Sequence, residues 1–170
     1  MAIDLLRYLL GALALIVLQF FLIQEINLGT WIKPMPYILF IFLLPFSFNR
    51  FLVLAAAFCA GLLLDAFSNS GGMHAAACAT LAFAKIWVDN KLLDPDAIQL
   101  QGFRYLTPDF KSFRHYAVYI LALTFLHHWV YFTLDYFSLS NFFLVLLVSL
   151  MSTLATCLLM LLFKLTANIR

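Results

Sequence analysis

The chain has 170 residues, of which 65% are hydrophobic and 11% charged, with a net charge of +2. Soluble domains carry roughly 25% charged residues, so this composition excludes an ordinary water-soluble domain. The absence of a basic tail leaves no footprint for nucleic acid. The apolar runs are continuous and lack the alternation of a membrane β-barrel, so they read as membrane helices.

Six spans are predicted in one domain covering residues 1–170. The first, roughly 5–23, has Arg7 near its start but no small-residue cleavage site after it, and reads as a retained helix rather than a leader. Trp31, Lys33 and Tyr37 mark an interface beyond it. The second, roughly 36–48, is short, about 20 Å at 1.5 Å per residue. Pro45 is expected to kink it or unwind its end. The third covers roughly 51–67 and the fourth roughly 73–88. Residues 89–112 form the one long polar segment, read as a surface-lying connector. The fifth and sixth spans cover roughly 113–136 and 139–165. Cys59, Cys78 and Cys157 all fall inside apolar runs. Their spacing fits neither a metal site nor a disulfide framework, so they read as small buried hydrophobes.

The third span ends in Gly61-Leu-Leu-Leu-Asp65, and Asp65 is the only charged residue between Arg50 and Lys85. A charge inside a hydrophobic span costs about 2.5–3.5 kcal/mol on insertion scales. The C-terminal end of its own helix adds an unfavourable dipole. Something must hold the carboxylate, and the turn that follows supplies candidates: Asn69, Gly71, Gly72, then Met73 and His74. The first backbone N–H groups of the next helix are unpaired and point toward the turn, and an anion there is stabilised. Asp65 is therefore expected to accept hydrogen bonds from that helix start and from His74. The bland alternative is an interfacial Asp half in water beside a simple glycine turn. Ala57-x-x-x-Gly61 and Ala75-x-x-x-Ala79 fit close packing of the two helices.

A span ending in Gly-Leu-Leu-Leu-Asp, a Ser/Asn/Gly turn, then Gly-Met-His-Ala-Ala-Ala resembles the signature of the rod shape-determining MreD family. Chain size, span order, the prolines of the second span and a later His-His pair extend the resemblance over most of the chain. It implies a non-enzymatic scaffold of the bacterial cell-elongation machinery in the inner membrane. The implied partners are membrane lipids and, directly, the bitopic protein MreC. RodA, its class B penicillin-binding transpeptidase and MreB filaments would be engaged indirectly. The implied fold is all-α, polytopic, with six transmembrane helices, similar to the substrate-binding subunits of energy-coupling-factor transporters. A vitamin-type transporter subunit is the rival reading. Those subunits generally carry Ala-x-x-x-Ala on their first span, whereas Gly11-Ala-Leu-Ala14-Leu-Ile-Val-Leu18 lacks it.

Six spans place both termini on one side. On that assumption Arg7, Arg50, Lys85, Lys91, Arg104, Lys111, Arg114, Lys164 and Arg170 share the terminus side, and Lys33 stands alone opposite. The positive-inside rule then puts both termini in the cytoplasm, with the 65–74 turn facing outward and the 89–112 connector facing the cytoplasm.

The fifth span carries His127-His128. Thr124, His128, Tyr131 and Asp135 form one helical stripe, and His127 is rotated about 100° away. Helical rise puts Asp65 and the histidines at similar depth, about 21–23 Å above Arg50 and Arg114. His128 is expected to face the bundle and bond the third or fourth span, with Asp65 as the leading candidate. His127 is expected nearer a helix interface open to a partner. Three readings of this polar set stay open: bonds that fix the bundle, an outward-facing cavity for a lipid headgroup or partner helix, and a metal or proton-relay site. No HExxH or paired-Cys pattern supports zinc, and no nucleophile elbow appears. No cofactor is expected, and the chain reads as a non-enzyme.

Overall fold

A computed structural model of the chain describes residues 10–11, 13–23, 29, 31–44, 49–92, 113–137 and 141–166. The described residues are mostly helical and contain no strand. An N-terminal helical stretch, residues 13–18, runs into a π-helical turn, Gln19–Ile23. A 3-10 turn, Pro36–Ile38, leads into α1 (Leu39–Leu43). Four long helices follow: α2 (Arg50–Ser68), α3 (Met73–Leu92), α4 (Phe113–Tyr136) and α5 (Phe142–Thr166). α2 packs on α3, α3 on α4 and α4 on α5, while the short 36–43 segment sits against α3 and α5.

Among the described residues, three stretches are long and apolar enough to cross a membrane: α2, residues Tyr116–Tyr136 of α4 and Phe142–Leu162 of α5. Their outer faces are built of large apolar side chains. Phe51, Leu52 and Phe67 on α2 and Phe143, Leu154 and Leu158 on α5 are all exposed. Contiguous apolar surface of this kind marks contact with lipid or protein rather than water. Cys59 lies on this outer surface, against the expectation of a buried thiol, whereas Cys78 is buried. Helical phase explains the difference, since buried Ala57, Ala60, Gly61 and Leu64 face α3 and leave position 59 outside.

The second predicted span is not one continuous helix over its described part. Eight residues, 36–43, make a 3-10 turn and a five-residue helix. Pro34 and Pro36 lack the N–H groups that a helix would use. The extended backbone before them is satisfied by side chains from other elements. Met35 N–H donates to Thr156 Oγ1 at 2.9 Å and Lys33 N–H to Ser152 Oγ at 3.0 Å. The carbonyl of Pro34 accepts from Gln19 Nε2 at 3.2 Å. Backbone polar groups that leave a helix inside a protein need partners from elsewhere, and the hydroxyls of α5 supply them here. Pro45 and connector residues 93–112 lie outside the described residues.

The connector also begins later than predicted. α3 continues to Leu92 and carries Asp89 inside the bundle, 1% exposed. Lys85, one turn earlier, donates to Asp89 Oδ2 at 2.6 Å, and Tyr119 donates to Oδ1 at 2.7 Å. Neutralised by an i,i+4 partner and a hydroxyl, the carboxylate does not end the helix.

Helices α2 and α3 approach closely at Gly61. A Cβ there would stand 2.5 Å from Ala75 Cα and 2.7 Å from both Ala75 N and His74 O, all backbone atoms. Gly61→Ala must therefore push α3 away at the point where Asp65 grips it. Overpacking of this kind costs about 1–3 kcal/mol, and a lower melting temperature in detergent is the expected result. An unchanged melting temperature would show that the helices separate freely at this point.

Candidate functional site

The α2–α3 turn is closed by Asp65 from both ends. Its backbone carbonyl accepts from Asn69 N–H and, at 3.3 Å, from Ser70 N–H, which caps α2. Asn69 occupies the left-handed region at φ 52°, where asparagine and glycine are the residues that terminate helices most readily. Gly71 and Gly72 continue the turn at φ 62° and 95°, conformations that a side chain would strain. The carboxylate then caps α3. Oδ1 accepts from Ser70 Oγ at 2.5 Å and from His74 N–H at 3.0 Å, and Oδ2 accepts from Ala75 N–H at 2.9 Å. Since the Gly72 carbonyl receives Ala76 N–H, His74 and Ala75 are the second and third residues of the helix. Those N–H groups are the ones an N-cap side chain normally satisfies. Asp65 supplies the cap from the preceding helix.

His74 contributes its backbone to Asp65, but its ring goes elsewhere. His74 Nδ1 lies 2.9 Å from the Tyr37 hydroxyl, and His127 Nε2 lies 2.9 Å from the same oxygen. Cys78 Sγ donates to it at 3.6 Å. The Tyr131 ring packs on His74 with centroids 4.5 Å apart. Tyr37, His74, His127 and Cys78 are all buried. Tyr37, expected at an interface, is instead 1% exposed and joins α3 to α4. Its apolar ring and single hydroxyl fit a buried site that offers one polar partner set. An aromatic residue flanked by Pro36 and an apolar run was the available signal, and it is ambiguous between belt and core.

The two adjacent histidines are sorted opposite to expectation. His127 reaches toward α3 through Tyr37 and is fully buried rather than open to a partner. His128 reaches α5 instead of Asp65: Thr156 Oγ1 lies 3.2 Å from its Nε2, and its Nδ1 lies 2.9 Å from the Thr124 carbonyl. The reason is the position of α4 between α3 and α5. Consecutive residues point about 100° apart, so one histidine meets each neighbour. Asp65 needs no histidine side chain, since three donors already surround it.

The predicted stripe on α4 divides in the same way. Thr124 and His128 are fully buried, and Tyr131 is 8% exposed. Asp135 sits at the exposed rim and pairs with Lys33 at 3.3 Å, where Lys33 also lies 5.7 Å from the centre of the Phe132 ring. Met73 is partly buried at the start of α3 and packs against the core. Among the described residues, no group of three or more His, Cys, Asp or Glu is placed to hold a metal ion.

Together these features define, among the described residues, a helical protein with three helices long and apolar enough to cross a membrane, a carboxylate-locked turn and a buried histidine cluster. No family model, curated protein or solved structure matches the chain.

Proposed function

We propose that this protein is a non-enzymatic scaffold of the rod-shape machinery, an MreD-type subunit that binds an MreC-type bitopic partner in the bacterial inner membrane. On this reading it has six spans with both termini cytoplasmic, shares the architecture of vitamin-transporter binding subunits, and couples MreB filaments to lateral wall synthesis through RodA and its transpeptidase. The observation that carries the reading is the locked turn. Gly61, Asp65 and His74, the residues on which the family resemblance rests, meet in one interlocked contact between α2 and α3. The polar groups beside it are engaged in holding helices together, which suits a rigid platform presenting apolar faces to lipid and to a partner helix.

Purification from native membranes in a mild detergent tests it. A bitopic wall-associated protein should travel with the chain, and capture of a transporter ATPase in its place would favour the vitamin-subunit reading. Orientation is tested separately by single cysteines in a background lacking the three native thiols. Asn69 and Asn90 are both exposed, one just before α3 and one in its last turn, and the helix is about 30 Å long at 1.5 Å per residue. An impermeant maleimide added to intact spheroplasts should label position 69 and spare position 90. Labelling of both would sink the proposed topology.

A further inference from the structure

Exposed cations gather at one end of the helix array. The 69–72 turn sets α3 antiparallel to α2, and the Tyr119–Asp89 bond brings the start of α4 to the end of α3. Arg50 opens α2, Lys91 lies in the last turn of α3 and Arg114 in the first turn of α4, so the three share one end, and all are exposed. Lys85 and Asp89 lie inside the same end but neutralise each other. The segment joining α3 to α4, residues 93–112, carries Asp94, Asp96 and Asp109 against Arg104 and Lys111, so it can cancel only one of the three positive charges. At the opposite end the exposed cation among the described residues is Lys33, which Asp135 already pairs at 3.3 Å.

Each of the three cations stands beside a large apolar side chain that faces outward. Phe51 follows Arg50 and is 79% exposed, while Trp87 and Val118, one turn inside Lys91 and Arg114, are 56% and 60% exposed. The Lys91 ammonium lies 3.7 Å from the centre of the Trp87 ring. This i,i+4 contact fixes the ammonium on the outward side of α3, and the ring carries no charge to balance it. Among the described residues, neither Lys91 nor Arg50 has an acidic side chain within salt-bridge distance. A cation set over exposed apolar surface at the end of a membrane helix fits the boundary between acyl chains and headgroups. The apolar part meets the acyl chains, and the charge stands level with the phosphates.

We propose that this end of the bundle binds anionic phospholipid headgroups, with the Trp87–Lys91 pair and Arg50 as the main contacts. The proposal rests on the membrane-spanning part of the reading above and not on the identity of any protein partner. Charge complementarity selects the occupant. A zwitterionic headgroup brings its own cation to its phosphate, whereas a singly charged phosphodiester leaves its anion for Lys91 and Arg50. Near an anionic leaflet each such residue contributes about five-fold in affinity, the factor that corresponds to about 1 kcal/mol.

The test is tryptophan quenching in the full chain in phosphatidylcholine nanodiscs, with a fixed fraction of the lipid replaced by acyl-brominated phosphatidylglycerol or acyl-brominated phosphatidylcholine. Trp31→Phe with Trp129→Phe leaves Trp87 as the reporter. Trp87→Phe with Trp129→Phe leaves Trp31, exposed near Lys33 at the opposite end. At Trp87 the phosphatidylglycerol probe should quench more strongly, with a relative affinity about five-fold higher or more. High salt should weaken that preference, because exposed charges are screened. At Trp31 the two probes should quench alike. Lys91→Gln should lower the relative affinity at Trp87 about five-fold, and adding Arg50→Gln should bring the two probes close to equality. Equal quenching by both probes at Trp87 would overturn the proposal alone and leave the basic end to an acidic protein segment. An equal preference at both tryptophans would also overturn it, since the net charge of the chain would then account for the effect. Absence of any quenching at either tryptophan would overturn the membrane reading together with this one.

Discussion

Asp89→Leu is expected to cause one of the two largest losses of folded protein among single substitutions of the described residues. Lys85 is 5% exposed, and its ammonium lies 2.6 Å from the Asp89 carboxylate. Removing the carboxylate strands that charge away from water. Breaking a buried pair by deleting one partner costs about 3–5 kcal/mol, because the remaining charge is uncompensated. Lys85→Met should also destabilise, though Asp89 keeps the Tyr119 hydroxyl and so loses only one of these two donors. The informative variant is the combination of Lys85→Met, Asp89→Leu and Tyr119→Phe, the last added so that the hydroxyl serving Asp89 goes with it. Apolar replacement of a whole buried pair is often neutral or stabilising. The triple variant should therefore recover, or exceed, the wild-type melting temperature in detergent. If Asp89→Leu alone melts like wild type, the pair is hydrated and its burial does not hold in the folded protein.

Asp65→Leu should cost at least as much. It removes the acceptor of three donors at once: the Ser70 hydroxyl and the N–H groups of His74 and Ala75. Each buried donor left unpaired costs about 1–3 kcal/mol, and the substituted side chain would also place its branched end where α3 begins. Asp65→Asn keeps one oxygen able to serve Ser70 and His74, and its amide faces Ala75 N–H. That variant should lose about one bond rather than three. Ser70→Ala also removes one bond and should match it. The order of melting temperatures should thus be wild type, then Ser70→Ala and Asp65→Asn together, then Asp65→Leu well below. Equal stability of Asp65→Leu and wild type would mean that water reaches the start of α3 and replaces the carboxylate.

The difference between what the sequence determined and what the fold decided follows from how far apart the interacting groups lie along the chain. The long helices were legible because lipid-scale apolar runs leave the backbone no other way to satisfy itself. The predicted 113–136 span matches α4, Phe113–Tyr136. The locked turn was legible because it is local. Asp65 and Ala75 are ten residues apart, joined by a turn whose Asn and Gly residues permit few paths. A lone carboxylate next to an uncapped helix start has one obvious partner.

The histidine cluster was not legible. Tyr37 and His127 are 90 residues apart, and Met35 and Thr156 are 121 apart. Helical periodicity showed that His127 and His128 diverge by about 100°, but not which neighbour each would face. That depended on α4 lying between α3 and α5. Equally, Lys85 entered the charge count only as a terminus-side cation, since its i,i+4 spacing to Asp89 does not say that both are buried. Packing alone places Lys85 and Asp89 inside, against Tyr119, and makes their i,i+4 spacing a buried ion pair.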